Sequence, residues 1–238
     1  MTVAGLPSPD LTSLPDTPRR EVVVGRNSKV WNGLAADARI AGLVGVAIGH
    51  RELDTFAFSA KDRVWVFSYS RDEHDNSALL KRLENAGVAE VVYVSSSSCR
   101  VAARTACYEY PRVKLKAESQ ALGFNAGKVL TIGLVYADER ELPAGDNVAT
   151  SLAELAAFML APTWPDGQGR RKHLFRQVSC PFSGALEQTL YRAYGWAIFS
   201  LKRYPCVLRP VDLLLRASRM RWYGYVYLSN RLWISTTS

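Results

Sequence analysis

The sequence is poor in the residues that build metal centres and covalent cross-links. It has three histidines, His50, His74 and His173, and four cysteines, Cys99, Cys107, Cys180 and Cys206. The cysteines lie far apart, form no C-x-x-C pair and have no histidine at ligand spacing, which argues against a zinc site and a disulfide framework. No metal is expected, and a reduced, cytoplasmic compartment fits this cysteine usage. Long apolar runs are also missing: no stretch of 18 uncharged apolar residues occurs, so a membrane-spanning helix is not expected. The first twenty residues, MTVAGLPSPDLTSLPDTPRR, carry Pro7, Pro9, Pro15 and Pro18 but no basic start followed by an apolar core. They read as a flexible leader and not as a secretory signal.

Acidic residues are scarce in only one part of the chain. Residues 1–150 hold 18 basic and 18 acidic side chains, whereas residues 151–238 hold 12 basic and 4 acidic, so the net charge of +8 belongs wholly to the later part. With 238 residues, 48% of them hydrophobic, the chain can fill one large core, which excludes disordered and collagen-like classes.

Short valine-rich runs alternate with helical patterns. Glu21–Gly25, Leu43–Ile48, Val64–Tyr69, Glu90–Val94 and Lys128–Val135 read as strands. Ser28–Ile40, Asn76–Ala86 and a segment around Lys114–Leu122 read as helices, with Leu79, Leu80 and Leu83 on one face and Gly87 as a stop. Nearly continuous apolar strands separated by helices imply a doubly wound α/β fold with a parallel sheet covered on both faces. Ser151–Leu160 reads as a further helix with Ser151 and Glu154 as a capping box. The Pro-, Gly- and Arg-rich stretch at residues 162–172 reads as the boundary of the core. The expected division is a leader at 1–20, a Rossmann-like core at 21–180, and a basic, aromatic, helical region at 181–238.

Several stretches, in order, resemble the extended or atypical short-chain dehydrogenase/reductase family, whose members include NAD-dependent epimerases and dehydratases of nucleotide sugars. These are the strand and serine cluster VVYVSSSS at Val91–Ser98, the Y-x-x-x-K spacing of Tyr110 and Lys114, and TIGLVY at Thr131–Tyr136. Residues four apart on a helix share a face, so a lysine ammonium can lower the pKa of a phenol that otherwise titrates near 10. The resemblance implies catalytic roles for Ser97, Tyr110 and Lys114, with Ser96 the next choice after Ser97. Tyr108 and Arg112 repeat the spacing and form the weaker pair.

The cofactor turn departs from the family's glycine pattern. Gly25-Arg26-Asn27-Ser28-Lys29-Val30-Trp31 keeps the first glycine, replaces the second by serine and the third by tryptophan. Trp31 conflicts with tight helix–strand packing at that place. The resemblance implies that Gly25, Arg26, Asn27 and Ser28, together with Lys114, hold NAD or NADP. His50 and Arg51, after the second strand, favour NADP through contact with a 2′-phosphate. His74 and His173 read as surface residues in polar surroundings.

Residues 183–238 hold 8 basic side chains against Glu187 and Asp212, and 10 of the 25 aromatics. Ala185–Arg203 and Val207–Met220 read as amphipathic helices. In the first, Leu186, Leu190, Tyr194, Ile198 and Leu201 form the apolar stripe. In the second, Arg209, Asp212, Arg216 and Arg219 oppose Leu208, Val211, Leu214 and Leu215. Three uses stay open for this region: an anionic membrane surface on the inner face of the membrane, packing on the core or a homodimer interface with Trp222–Asn230 as an added strand, and reception of an anionic substrate. Nucleic acid is not an expected partner. The function implied is an NAD(P)-dependent epimerase, reductase or dehydratase acting on a nucleotide- or lipid-linked sugar. The alternative is a non-catalytic descendant that senses a dinucleotide or serves as a membrane-associated interaction protein.

Overall fold

A computed structural model of the chain describes residues 19–67, 70, 72–165, 169–217 and 224–235. The expected leader lies outside these residues except for Arg19 and Arg20. In chain order the elements are β1 (Arg20–Val24), α1 (Lys29–Leu34), α2 (Ala38–Leu43), β2 (Val44–Ile48), β3 (Asp62–Val66), α3 (Glu73–Asn85), β4 (Glu90–Ser96), α4 (Cys99–Ala102) and α5 (Glu109–Gly123). Then come β5 (Gly127–Ile132), β6 (Leu134–Tyr136), β7 (Gly145–Ser151), α6 (Leu152–Leu160), β8 (Arg171–Leu174), β9 (Arg176–Cys180), α7 (Ala185–Leu201), α8 (Pro205–Ala217) and α9 (Gly224–Ile234).

Strands whose residues are apolar on both sides must be covered on both faces, and that is the arrangement found. Six parallel strands in the order β2-β1-β3-β4-β5-β8 form the main sheet. Leu79, Leu80 and Leu83 of α3 and Ala117 and Ala121 of α5 pack against Val22, Val64 and Tyr93 on one face. Trp31, Ile40, Leu155 and Met159 of α1, α2 and α6 pack against Val23, Trp65 and Leu130 on the other. Each fully buried valine or leucine here contributes about 1.5–3 kcal/mol relative to exposure. The fold is doubly wound and Rossmann-like, with its switch point between β1 and β3. The larger dinucleotide-binding order carries one more strand outside β2. Among the described residues there is none, because the chain turns through His50–Glu52 and runs on directly to β3.

Four local expectations change. The helix expected over Ser28–Ile40 is two helices, because Asp37 accepts a bond from the Arg39 amide and caps a new start. The strand expected over Lys128–Val135 breaks at Gly133, where the chain crosses into a second sheet of order β6-β7-β9. A Cβ at Gly133 would collide with the Val148 carbonyl, and its N–H is taken by the Thr150 hydroxyl at 2.9 Å. The Pro- and Gly-rich stretch does not end the sheet, since β8 follows it and pairs with β5. Finally, residues 224–230 are helix and not an added strand. Gly224, Tyr227 and Leu228 are buried, the i, i+3, i+4 spacing of a helix face, and Tyr227 and Leu228 pack beside Val101 and Leu208. Trp222 and Tyr223 lie outside the described residues, as does Tyr69.

The capping box forms as read: the Glu154 amide donates to the Ser151 hydroxyl at 3.1 Å, and the Ser151 amide to the Glu154 carboxylate at 2.9 Å. The expected stripe on α7 holds only at its later end. Tyr194 and Ile198 are buried, but Leu186 and Leu190 are exposed. On α8, Leu208 is fully buried, while the side chains of Asp212, Leu214, Leu215 and Arg216, and all of Arg219, lie outside what is described.

Candidate active site

Tyr108 precedes the first turn of α5, and Pro111 sits within that turn, where a backbone N–H has no helical partner to lose. The helix then carries Tyr110 and Lys114 on one face, directed at the carboxyl ends of β4 and β5. Lys114 is buried, its ammonium donating to the Val94 carbonyl at 3.0 Å and lying 4.8 Å from the centre of the Tyr93 ring. Burial pulls its pKa down to about 8, while the neighbouring Cys99 and Glu118 pull it back up. Glu118, one turn later and also buried, is held by Arg171 of β8 at 3.0 Å.

The serine cluster continues from β4. The Ser97 amide donates to the Ile132 carbonyl at 2.7 Å, which ties the cluster to β5. The buried Ser97 hydroxyl lies 3.2 Å from that of Ser229, and the Ser97 carbonyl accepts from the Trp233 indole at 2.9 Å. Ser96 is half-buried, its hydroxyl 2.9 Å from that of Ser98. Ser95 lies against Cys99, whose thiol is pushed up to about 12 by burial, and that removes it as a nucleophile near neutral pH.

These residues surround one cavity of about 550 Å³, within the range of small-molecule sites. Its walls are Ser95–Ser98, Tyr110, Lys114, Phe67, the stretch Ile132–Ala137, and Lys29 and Val30 from the start of α1. Its roof is α9, through Tyr225, Val226, Ser229 and Asn230. Asn230 fixes that roof by accepting from the Val148 amide at 3.1 Å and donating to the Asp146 carbonyl at 3.0 Å. The sequence offered one signal for these roof residues: a short polar run, Ser229, Asn230 and Arg231, inside a stretch otherwise rich in aromatic and aliphatic side chains. Tyr108 is buried beside Tyr225 and does not line the cavity, so of the two spacings only that of Tyr110 and Lys114 reaches it.

The other expected cofactor residues stand apart. Gly25 has φ 109°, a conformation that favours glycine, so the tight turn after β1 survives. Its N–H and that of Arg26 both donate to the Ile48 carbonyl, at 2.9 and 3.0 Å. Ser28 caps α1, accepting from the Trp31 amide at 3.3 Å. Trp31, expected to conflict with close packing, instead fills the space between α1 and the sheet and is 6% exposed. Gly25, Arg26, Asn27 and Ser28 do not line the cavity, although Lys29 and Val30 do. His50 and Arg51 border a separate groove with Asp54, Asp75 and Leu79. Between the two places stands Glu52, missed in the sequence because His50 and Arg51 precede it. One of its carboxylate oxygens accepts from the Gly49 amide at 2.8 Å and the other pairs with Arg26 at 3.0 Å. His173 is exposed, as expected, with Glu118, Arg171 and Arg100 near it, and its ring also packs against those of Phe175 and Trp233.

The donor set suits the nicotinamide half of a dinucleotide: an ammonium, a phenol and serine hydroxyls around a largely apolar cavity. Among the described residues no group of His, Cys, Asp and Glu is placed to hold a metal ion.

No protein-family model matches the sequence, and no curated protein matches it. Solved structures do match. The NAD-dependent NDP-hexosamine 5,6-dehydratase TunA of tunicamycin biosynthesis superposes with a TM-score of 0.52 at 11% identity, over 78% of this chain and 83% of that one. A UDP-galactose 4-epimerase gives 0.51 at 12% identity, over 77% and 84%. The UDP-glucose 4-epimerase of Thermotoga maritima gives 0.50 at 12% identity, over 71% and 88%. The chain thus has the fold of the NAD-dependent nucleotide-sugar epimerases and dehydratases, the extended short-chain dehydrogenase/reductase architecture that its serine cluster and Tyr-x-x-x-Lys spacing resemble.

Proposed function

We propose that the protein is an NAD(P)-dependent enzyme that modifies an activated sugar, nucleotide- or lipid-linked, as an epimerase, reductase or dehydratase. The observation that carries this reading is the meeting of Ser97, Tyr110 and Lys114 around one cavity at the carboxyl ends of β4 and β5. Lys114 would hold the ribose beside the nicotinamide and stabilise a Tyr110 phenolate. Tyr110 would take the proton of a sugar hydroxyl, or return it to a carbonyl oxygen. Ser97, or its more open neighbour Ser96, would orient that oxygen, with Ser229 and Asn230 closing the site against water. The bound cofactor supplies hydride acceptance and return.

Glu52 supports NAD over the NADP favoured by His50 and Arg51. A carboxylate at the end of β2 suits ribose hydroxyls and repels a 2′-phosphate. Replacing it in Glu52→Gln is expected to shift selectivity toward NADPH, measured as the ratio of the two Kd values.

One observation favours the non-catalytic alternative, and within it an interaction protein over a dinucleotide sensor: the Gly25 and Arg26 amides are already bonded to Ile48 and not open to a pyrophosphate. Titration with NADH and NADPH, followed by fluorescence, comes first. Saturable binding that Lys114→Ala weakens far more than Tyr110→Phe supports an intact site. Turnover of UDP-sugars then separates enzyme from sensor. If neither cofactor binds at millimolar concentration, the enzyme reading fails.

A further inference from the structure

We infer that the face made by α7 and α8 seats on an anionic lipid bilayer. This is independent of the catalytic proposal. Single exposed apolar side chains are ordinary, but a cluster of them marks a binding surface. Among the described residues, seven of the eight exposed large hydrophobic side chains lie on α7, α8 or the turn between them. Trp196 is 75% exposed, Leu186 74%, Leu213 68%, Tyr204 59% and Phe199 50%, values unsuited to packing on the core. The buried sides of the same helices are already satisfied: Tyr194 and Ile198 of α7 and Leu208 of α8 pack with Tyr227 and Leu228 of α9. The exposed apolar residues therefore face outward by construction.

Charge selects the occupant. Arg192, Lys202, Arg203 and Arg209 lie on these helices and their connecting turn, and Glu187 and Asp212 are the only acidic residues of positions 183–238. Glu187 is engaged at the start of α7, accepting from the Ser183 amide and hydroxyl at 2.7 Å. The Lys202 ammonium stands 3.3 Å over the centre of the exposed Phe199 ring, so cation and aromatic form one patch. A second copy of this chain would press one basic face against another. An anionic bilayer meets both properties together, its headgroups opposite the cations and its acyl boundary beneath the tryptophan, tyrosine and leucine. No described helix is long and apolar enough to cross a membrane, so the helices would lie in the interface.

The test is flotation of the full-length protein with phosphatidylcholine vesicles, with and without phosphatidylglycerol. Binding is expected only to the anionic vesicles and should weaken as salt rises. The double substitution Trp196→Glu and Phe199→Glu should reduce binding by more than about tenfold, since each side chain removes a buried aromatic from the interface. Lys202→Gln and Arg203→Gln should each cost about fivefold. All four positions are at the surface, so melting temperatures and any dinucleotide binding should be unchanged. Three results would overturn the proposal: no flotation with anionic vesicles at low salt, flotation of the double variant equal to that of the parent, or a dimer in solution that the double variant dissociates. Capture of a single acidic protein without vesicle binding would likewise replace the lipid by a protein partner.

Discussion

The two halves of the sheet's carboxyl edge are built differently. At the β4–β5 half, side chains line the cavity, and the proposed chemistry rests on three of them, Ser97, Tyr110 and Lys114. At the β1–β2 half, the backbone shapes a turn that stands outside the cavity. Gly25 keeps its left-handed turn, while Ser28 and Trp31 replace residues whose smallness is the family's pattern. This second half is also reduced, since no strand lies outside β2 among the described residues. Chemistry at a reacting atom tolerates little substitution, whereas a turn set by backbone conformation can be kept if the helix behind it is repacked. Trp31 is that repacking.

The comparison can be broken or sharpened by substitution. The largest effect is expected for Tyr110→Phe, which should lower turnover about 10²- to 10⁴-fold while leaving the dinucleotide Kd nearly unchanged. Unaltered kcat in steady-state kinetics would remove the side-chain half of the contrast. Next, Trp31→Gly introduces the glycine of the pattern that the turn resembles, yet should destabilise the fold by about 3–5 kcal/mol, read from denaturant unfolding, because it opens a cavity against Val23 and Phe67.

A third test uses pH. Burial sets the Lys114 pKa at about 8 in the folded protein against 10.5 for the ordinary lysine. Between these values the unfolded chain binds more protons, so this group makes stability rise as pH increases from about 8 toward 10.5, by a few kcal/mol. Cys99 acts in the opposite sense from about pH 9 upward, since its thiol holds its proton to about 12 when folded and to 9.0 otherwise. Cys180, also raised from 9.0 by burial, acts as Cys99 does, and both thiols only begin to oppose the lysine between pH 8 and 9; chemical unfolding across that window should lose its upward slope in Lys114→Met. The smallest effect is expected for Ser28. Ser28→Ala should cost about 1 kcal/mol as the α1 cap is lost, while Ser28→Gly should cost only a few tenths. If Ser28→Gly also leaves NADH affinity unchanged, the turn works through its backbone alone.

Much of this was legible in the chain. The valine runs of β1 and β4 required burial on both faces, and Ser151 with Glu154 announced the start of α6. Tyr110 and Lys114 share a face by helical spacing alone. Other features were not legible, because they depend on partners distant in sequence. Gly133 reads as an ordinary strand residue until Val148 and Thr150 are placed beside it. Glu52 reads as a loop carboxylate until the turn after β1 brings Arg26 to it. Ser229 and Asn230 read as part of a strand until α9 lays them over Ser97 and β7.

By itself, then, the sequence determined the local periods, the caps and the residue types able to do the chemistry, because these depend on neighbours within a few positions. Tertiary structure alone decided that the serine cluster and α5 would face one cavity under α9. It also decided that Trp31 would turn inward and that Trp196 and Phe199 would turn outward. A side chain's burial is set by what packs across from it, and those contacts join residues that the linear order keeps far apart.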